Sequence, residues 1–195
     1  MKKAVALILS LSMALALCGC SSSDYKKAVS LYDEKNYEEA KVLFEKLGDY
    51  KDSEDYVIKC ETEAKYAIKG TMSEQDFRSQ CKEISYTELK RNPNKYVGQF
   101  IKISCKVYSS PQENNNEMNA NCATGAASFS QGYFGDYIHI SYRYADENES
   151  RMIEDDIIVI YGICEGNYTY QSMVGQQTVP NITVLYYDYV RHASI

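Results

Sequence analysis

The stretch from Phe100 to Tyr108, FIKISCKVY, decides the fold of this chain, because apolar and polar side chains alternate along it without a break. A period of two places successive side chains on opposite faces of a β-strand. The apolar face carries Ile101, Ile103, Cys105 and Val107. The stretch therefore predicts a strand with one face buried against a core and the other face turned to solvent.

The residues after this strand predict a hairpin. Residues 109–120 are polar and contain Pro111 and three successive asparagines, a composition typical of an exposed loop. A second strand is expected near Met118–Ser128. In a hairpin centred on the loop, Cys105 and Cys122 lie opposite each other, which makes them the candidate disulfide. The alternative is a set of buried free thiols, because cysteine is among the most buried residue types.

Three later segments have the composition of strands, and a short helix precedes the first strand. The later strands are expected at Tyr137–Tyr142, Ile157–Cys164 and Ile182–Tyr187. Ser85 and Glu88 form a capping box that predicts a helix over Tyr86–Arg91. Five short strands without regular alternation with helices are typical of a small barrel or a sandwich.

Two segments of this half carry a family resemblance: residues 85–107, SYTELKRNPNKYVGQFIKISCKV, and residues 153–170, IEDDIIVIYGICEGNYTY. They resemble an OB-fold domain of secreted and membrane-anchored bacterial proteins, which is itself similar to anticodon-binding OB folds. The matching residues are Leu89, Arg91, Asn92, Pro93, Tyr96, Gly98, Asp156, Gly162, Tyr168, Thr169, Tyr170, Gly175 and Pro180. The family usually has Gly-Asp where this chain has Asp155-Asp156. The resemblance covers about residues 85–195 and implies a fold and a location, without a known activity.

The preceding segment, residues 24–84, predicts helices. Its second helix repeats apolar or small residues at helical spacing, namely Tyr37, Ala40, Phe44 and Leu47. Asn36 is the expected N-cap and Gly48 the expected C-terminal residue of that helix. Together with Ala28 and Leu31, the pattern resembles one tetratricopeptide repeat, in which small residues let two antiparallel helices pack closely. The alternative is a plain three-helix spacer without a binding groove.

The N-terminus has the features of a bacterial lipoprotein signal. Two lysines precede an apolar run, Ala4–Leu17, whose length of about fourteen residues is short of the roughly 20 that span a bilayer. Leu17-Cys18-Gly19-Cys20 resembles a lipobox. Cleavage is therefore expected between Gly19 and Cys20, with diacylglyceryl and palmitate chains on Cys20. The alternative is an uncleaved N-terminal anchor.

These observations predict an α+β chain in four parts. The parts are a signal peptide (1–19), the lipidated cysteine with a short tether (20–23), a helical, repeat-like segment (24–84) and a small five-stranded OB-fold-like barrel (85–195). The lipid places the protein on the outer, extracytoplasmic face of a bacterial cell membrane.

The charge of the chain is acidic, which argues against nucleic acid as a partner. The formal net charge is −6 and becomes −8 when two lysines leave with the signal (−6 − 2). From residue 86 onward, eight Lys and Arg stand against twelve Asp and Glu. An acidic surface repels phosphate backbones. We therefore expect no nucleic-acid partner.

No catalytic or metal-binding motif is present in the sequence. His139 and His192 have no Cys, His or carboxylate at the spacing of zinc ligands. We therefore expect neither a metal nor a cofactor, and no enzymatic activity.

The tyrosines supply the candidate binding face, since the chain has 19 Tyr and no Trp. The face is expected to carry Tyr108, Tyr142, Tyr168 and Tyr170. Exposed tyrosines bind peptides, proteins and sugars, so the sequence predicts a scaffold that holds a protein, peptide or glycan partner. The alternatives are a purely structural interaction protein without a ligand and an enzyme that acts on the cell envelope.

Overall fold

The computed structural model describes residues 21–114, 116–124, 136–173 and 175–193. The chain divides into two compact units between Ile68 and Lys69, whereas the sequence placed the boundary after residue 84. Within the described residues, no helix is both long enough and apolar enough to cross a membrane.

Three helices build the first unit. Helix α1 covers residues 21–33, α2 covers Tyr37–Leu47, and α3 begins in this unit and covers Ser53–Thr71. The buried core consists of Ala28, Ala40, Phe44 and Cys60. Phe44 stacks on Tyr56 with ring centroids 4.6 Å apart. The small residues let the helices approach closely while the aromatic rings fill the space between them. The helical prediction for this part of the chain is thus confirmed.

The predicted helix ends differ in how they are capped. Gly48 follows α2 with a φ of 57°, a positive value that favours glycine at this position. Asn36 occupies the N-cap of α2 as predicted, but its side chain makes no capping hydrogen bond. In the second unit, by contrast, the Ser85 hydroxyl accepts a hydrogen bond from the backbone N–H of Glu88 at 3.3 Å.

The described part of the second unit contains two short helices and seven strands. In chain order they are α4 (Glu74–Gln80), β1 (Lys82–Glu83), α5 (Tyr86–Arg91), β2 (Phe100–Val107), β3 (Gln112–Asn114), β4 (Glu117–Thr124), β5 (Tyr137–Arg143), β6 (Asp156–Ser172) and β7 (Gly175–His192). Helix α5 and strand β2 match their predicted bounds within a residue. Strands β6 and β7 are much longer than predicted.

The strands form one sheet in the order β1-β2-β6-β7-β5-β4-β3, and β2 also pairs with β4. The second pairing closes a ring of five strands: β2, β4, β5, β7 and β6. Within the ring, β5 and β7 are parallel, while the other neighbours are antiparallel. A closed five-member ring of this kind is an OB-like fold. The prediction of a clean five-stranded barrel is wrong in detail, because β1 and β3 extend the sheet and β6 and β7 continue beyond the ring.

Alternate residues of the ring strands fill its interior. The four apolar residues of β2 are buried, as the alternation predicted. Strands β4 and β5 contribute Met118, Ala120, Cys122, Ile138 and Ile140 to the same core. The opposite faces of β4 and β5 consequently point away from the core, and these faces carry the site described below.

Cys105 and Cys122 are both fully buried and both free. They are not directly opposite each other, because the register pairs Cys105 with Thr124 and Val107 with Cys122. The predicted opposition is therefore wrong by two residues, and the two cysteines are diagonal neighbours. Contact with the Cys105 thiol and burial raise the pKa of Cys122. Both thiols are free in this structure, and a disulfide between them stays a prediction.

Candidate nucleic-acid interface

A row of polar side chains crosses three strands on the outer face of the ring. The register pairs Asn121 of β4 with His139 of β5, and His139 with Asn181 of β7. The chain neighbours of Asn121 and His139 point into the core and are buried, so these side chains point outward. Since the side-chain period of a strand is two, the three residues form one continuous row across the sheet.

Two tyrosines of β6 pack over this row. The Tyr168 ring stacks on the His139 ring with centroids 3.9 Å apart and planes inclined by 16°. The Tyr170 ring lies beside Tyr168 at 5.9 Å and 19°. The three rings are therefore nearly parallel. Strand β6 brings its tyrosines here because it continues past its last residue paired with β2, Ile163, as a two-stranded ribbon with β7.

A second pair of rings stands next to this stack. Tyr108 follows β2 and packs on Tyr137, the first residue of β5, with ring centroids 4.7 Å apart. Burial and the neighbouring Tyr108 raise the pKa of Tyr137, and Tyr170 contributes in the same direction. The contribution of Tyr170 to this shift indicates that the pair lies near the stack.

His139 is neutral and fixed in orientation. Its Nδ1–H donates to Oδ1 of Asn121 at 3.2 Å, which leaves Nε2 as an acceptor. Burial lowers the pKa of His139 from 6.5 to about 4. The imidazole therefore carries no charge near neutral pH and acts as a flat, polar-edged ring.

An open cavity of about 460 Å³ lies against these rings. Its lining consists of Ser109, Ser110, Gln112, Asn119, Ala120, Asn121, His139, Tyr168, Tyr170 and Gln171. All of the polar groups among these described residues are uncharged hydroxyls, amides and one neutral imidazole. Amides and hydroxyls both donate and accept hydrogen bonds, so the wall complements ligands whose edges mix donors and acceptors.

Two buried polar atoms next to this surface lack a hydrogen-bond partner within the described residues: the Tyr137 hydroxyl and Oδ1 of Asn181. Tyr108 is close enough to affect the pKa of Tyr137 but does not meet hydrogen-bond geometry. Most buried polar groups in proteins are paired, so these two atoms are exceptions among the described residues.

The structure separates the four tyrosines that the sequence grouped. Tyr168 and Tyr108 are 37% and 38% exposed, and Tyr170 is half-buried beside them. Tyr142, however, is only 5% exposed and belongs to the core cluster. Its hydroxyl donates to Oε1 of Glu149 at 2.6 Å. Tyr142 is therefore not part of the surface that carries the other three rings.

The remaining predicted residues lie elsewhere. Gly19 and Cys20 fall outside the described residues, while Cys105 and Cys122 lie inside the ring. Nδ1 of His192 bonds the buried Asp156 at 3.0 Å, away from the stack. Within the described part of the chain, no three His, Cys, Asp or Glu side chains gather as a metal site would need.

Sequence reasoning missed the polar members of the site. Asn121 and Asn181 have no local signal, because their position beside His139 depends on the register of three strands. Tyr137 was assigned to a strand but not to the binding face. The one available signal was the position of His139 between two buried isoleucines, which placed its side chain on the opposite face of the strand.

Comparison with known proteins gives only distant likenesses. No protein-family model matches the chain, and no curated protein shows significant similarity to it. Among solved structures, the mitochondrial single-stranded DNA-binding protein Rim1 of S. cerevisiae has 10% identity and a TM-score of 0.34 over 49% of this chain and 97% of its own. The small single-stranded DNA-binding protein of Streptomyces coelicolor has 13% identity and a TM-score of 0.33 over 48% and 94%.

These likenesses contradict two predictions from the sequence. The similar structures are single-stranded DNA-binding proteins, whereas the sequence predicted a protein, peptide or glycan ligand and no nucleic acid. Both predictions are wrong as made. The physical reason is that net charge is a property of the whole surface, while the cavity is lined by uncharged groups. TM-scores of 0.34 and 0.33 are too low for these likenesses to assign a function to this chain.

Proposed function

We propose that the surface formed by His139, Tyr168, Tyr170 and the surrounding amides binds single-stranded nucleic acid through its unpaired bases. The observation that carries this proposal is the row of three nearly parallel rings beside an uncharged, amide-lined cavity. Unpaired bases stack on aromatic side chains and form hydrogen bonds along their edges, which requires this combination of groups.

The position of the surface within the fold supports the same proposal. The cavity is lined by β4 and β5, the second and third ring strands along the chain, and by residues of the segment between β2 and β4. The remaining wall comes from β6 near its turn into β7. OB-like barrels bind oligonucleotides at this combination of two strands and two connections. Fold alone does not assign a function, and the stacked rings supply the specific argument.

The ring contacts also set the mode of binding. His139 and Tyr168 touch at 3.9 Å, so a base cannot enter between them without separating the rings. A base is therefore added to an end of the stack. Stacking of one base on an aromatic side chain contributes about 1–3 kcal/mol. Removal of one ring that contacts a base should therefore weaken binding measurably.

The test is binding of a fluorescently labelled oligothymidylate, measured by anisotropy. Tyr170 is an end ring of the stack and lines the cavity. Tyr170→Ala should therefore weaken binding by about 5- to 150-fold, the equivalent of one stacked base. Tyr170→Phe should retain most of the affinity because the ring remains. The matched control is Tyr189→Ala, which removes a tyrosine that is 58% exposed on β7 and does not line the cavity. Unchanged binding in Tyr170→Ala, or an equal loss in the control, contradicts the proposal.

We also propose that the protein binds its ligand without catalysing a reaction. We further propose that a lipid on Cys20 tethers the protein to the outer face of the membrane. The support for the tether is the lipobox-like Leu17-Cys18-Gly19-Cys20, which lies outside the described residues. In cells fed a labelled fatty acid, the wild-type chain should take up label and Cys20→Ser should not. Label on the Cys20→Ser variant contradicts the assignment of this cysteine.

A further inference from the structure

We propose that the cavity beside Tyr168 and Tyr170 holds the base and sugar of a single nucleoside unit and excludes its phosphate. This inference rests on the proposed function and specifies its ligand. The site would thus select the uncharged part of a nucleotide, and the phosphates of a bound strand would remain in solvent.

The first support is the chemistry of the wall. Four amide side chains line the cavity: Gln112, Asn119, Asn121 and Gln171. Two serines add hydroxyls, and none of the lining residues is a lysine or an arginine. Phosphate binding relies on cationic side chains or on backbone N–H groups at a helix N-terminus. The lining strands and connections supply neither.

The second support is that two cations near this wall, Lys106 and Arg151, are already paired with carboxylates. Lys106, two residues before Tyr108, forms an ion pair with Asp155, with Nζ 2.9 Å from Oδ1. Arg151 pairs with Glu113, the neighbour of Gln112, with Nε 3.4 Å from Oε2. Binding a phosphate with either side chain would require breaking an existing ion pair.

The third support is a carboxylate at the wall itself. The Ser110 hydroxyl donates to Oε2 of Glu154 at 2.9 Å, which holds a negative charge beside a lining residue. A phosphate in the cavity would be repelled by this carboxylate. A neutral base or sugar meets no such repulsion.

The size of the cavity is consistent with one unit. Its volume of about 460 Å³ falls in the range of about 300–1,000 Å³ typical of sites for small organic ligands. The neutral His139 contributes a ring face and an acceptor nitrogen rather than a charge. A nucleoside can therefore satisfy the wall by stacking and hydrogen bonding alone.

The experiment compares thymidine, thymidine 5′-monophosphate and oligothymidylate by NMR titration of a protein that comprises residues 21–195. Thymidine should bind at least as tightly as its monophosphate. Glu154→Gln should raise the affinity for the monophosphate by about two- to fivefold, the size of one exposed charge pair, and leave thymidine unchanged. Glu83→Gln is the matched control, because it removes an equal charge from β1, a strand that does not line the cavity.

The outcomes separate this inference from the proposed function. If the monophosphate binds more tightly than thymidine, or if Glu154→Gln has no effect on it, phosphate exclusion is wrong while nucleic-acid binding stands. If oligothymidylate and both small ligands fail to bind, the proposed function itself is wrong. A preference for thymidine that Glu154→Gln reduces, with Glu83→Gln unchanged, supports the inference.

Discussion

His139 shows how a single side chain links the site to the stability of the fold. The ring is covered by Tyr168 and is removed from water, and this burial lowers its pKa from 6.5 to about 4. In the unfolded chain the same imidazole is hydrated and titrates at its ordinary value. The folded and unfolded states therefore bind different numbers of protons between these two values.

This difference predicts a loss of stability on acidification. As the pH falls from about 6.5 to about 4, the His139 imidazole takes up a proton in the unfolded chain but stays neutral in the folded chain. The free energy of unfolding therefore decreases. At about 1.4 kcal/mol per pKa unit, a shift from 6.5 to about 4 gives a loss of at most about 3.5 kcal/mol. Urea denaturation of the wild type and of His139→Gln at pH 7 and pH 4.5 measures it.

The His139→Gln variant should lose less stability than the wild type between these two pH values. His192→Gln is the matched control, since it removes the second histidine of the chain and leaves the stack on Tyr168 intact. Equal pH dependence in the wild type and in His139→Gln would show that burial does not keep the imidazole neutral.

At the scale of elements, the contact between β6 and β7 depends on the absence of a side chain at Gly162. The ladder shifts register between Tyr161 and Gly162, which brings the two backbones together. A Cβ at residue 162 would lie 2.4 Å from the backbone oxygen of Thr183 and 2.9 Å from Cγ2 of Ile182. One of these atoms is backbone in the centre of the sheet, so it cannot move aside at low cost.

Gly162→Ala should therefore destabilise the second unit by about 1–3 kcal/mol or more, the range of overpacked cores. Gly70→Ala provides the control, because a Cβ there meets nothing within 4 Å and alanine favours the helix by about 1 kcal/mol. Chemical denaturation of both variants measures the difference. A Gly162→Ala variant as stable as the wild type would mean that β6 and β7 separate easily at this point.

The elements also show what the sequence could and could not predict. Strand β2 was predicted within a residue because one of its faces is buried and its alternation is complete. The ends of β6 and β7 were missed because they leave the ring and expose both faces, which removes the alternation. The two-residue strand β1 is fully exposed and carries no pattern at all.

The same distinction applies to the site. Its tyrosines could be proposed from the sequence because tyrosine is a common ligand-binding residue. Tyr142 could not be distinguished from Tyr168, because the sequence did not show which of the two side chains points into the core. The row from Asn121 to Asn181 follows from cross-strand register. A shift of two residues in one hairpin, as seen at Cys105, is enough to change every neighbour in such a row.

For the whole molecule, the excess of acidic over basic residues predicts how nucleic-acid binding responds to salt. The net charge of −6 gives no general attraction for nucleic acid, and the cavity wall carries no cation. Proteins that make six to ten phosphate contacts lose about 10³–10⁵ in affinity between 50 and 200 mM salt, because condensed counterions are released on binding. A surface that holds bases and leaves phosphates in solvent releases few counterions.

Oligothymidylate binding should therefore change by less than about threefold over the same salt range. Gln112→Lys supplies the internal standard: it places one cation on the wall, so the affinity should rise at low salt and the slope of log K against log salt should change by about −0.7, the value for one contact with a single strand. Anisotropy titrations at four salt concentrations measure both slopes. A steep slope in the wild type would mean that cations outside this cavity bind the oligonucleotide. A Gln112→Lys slope equal to that of the wild type would mean that the oligonucleotide does not pass along this wall.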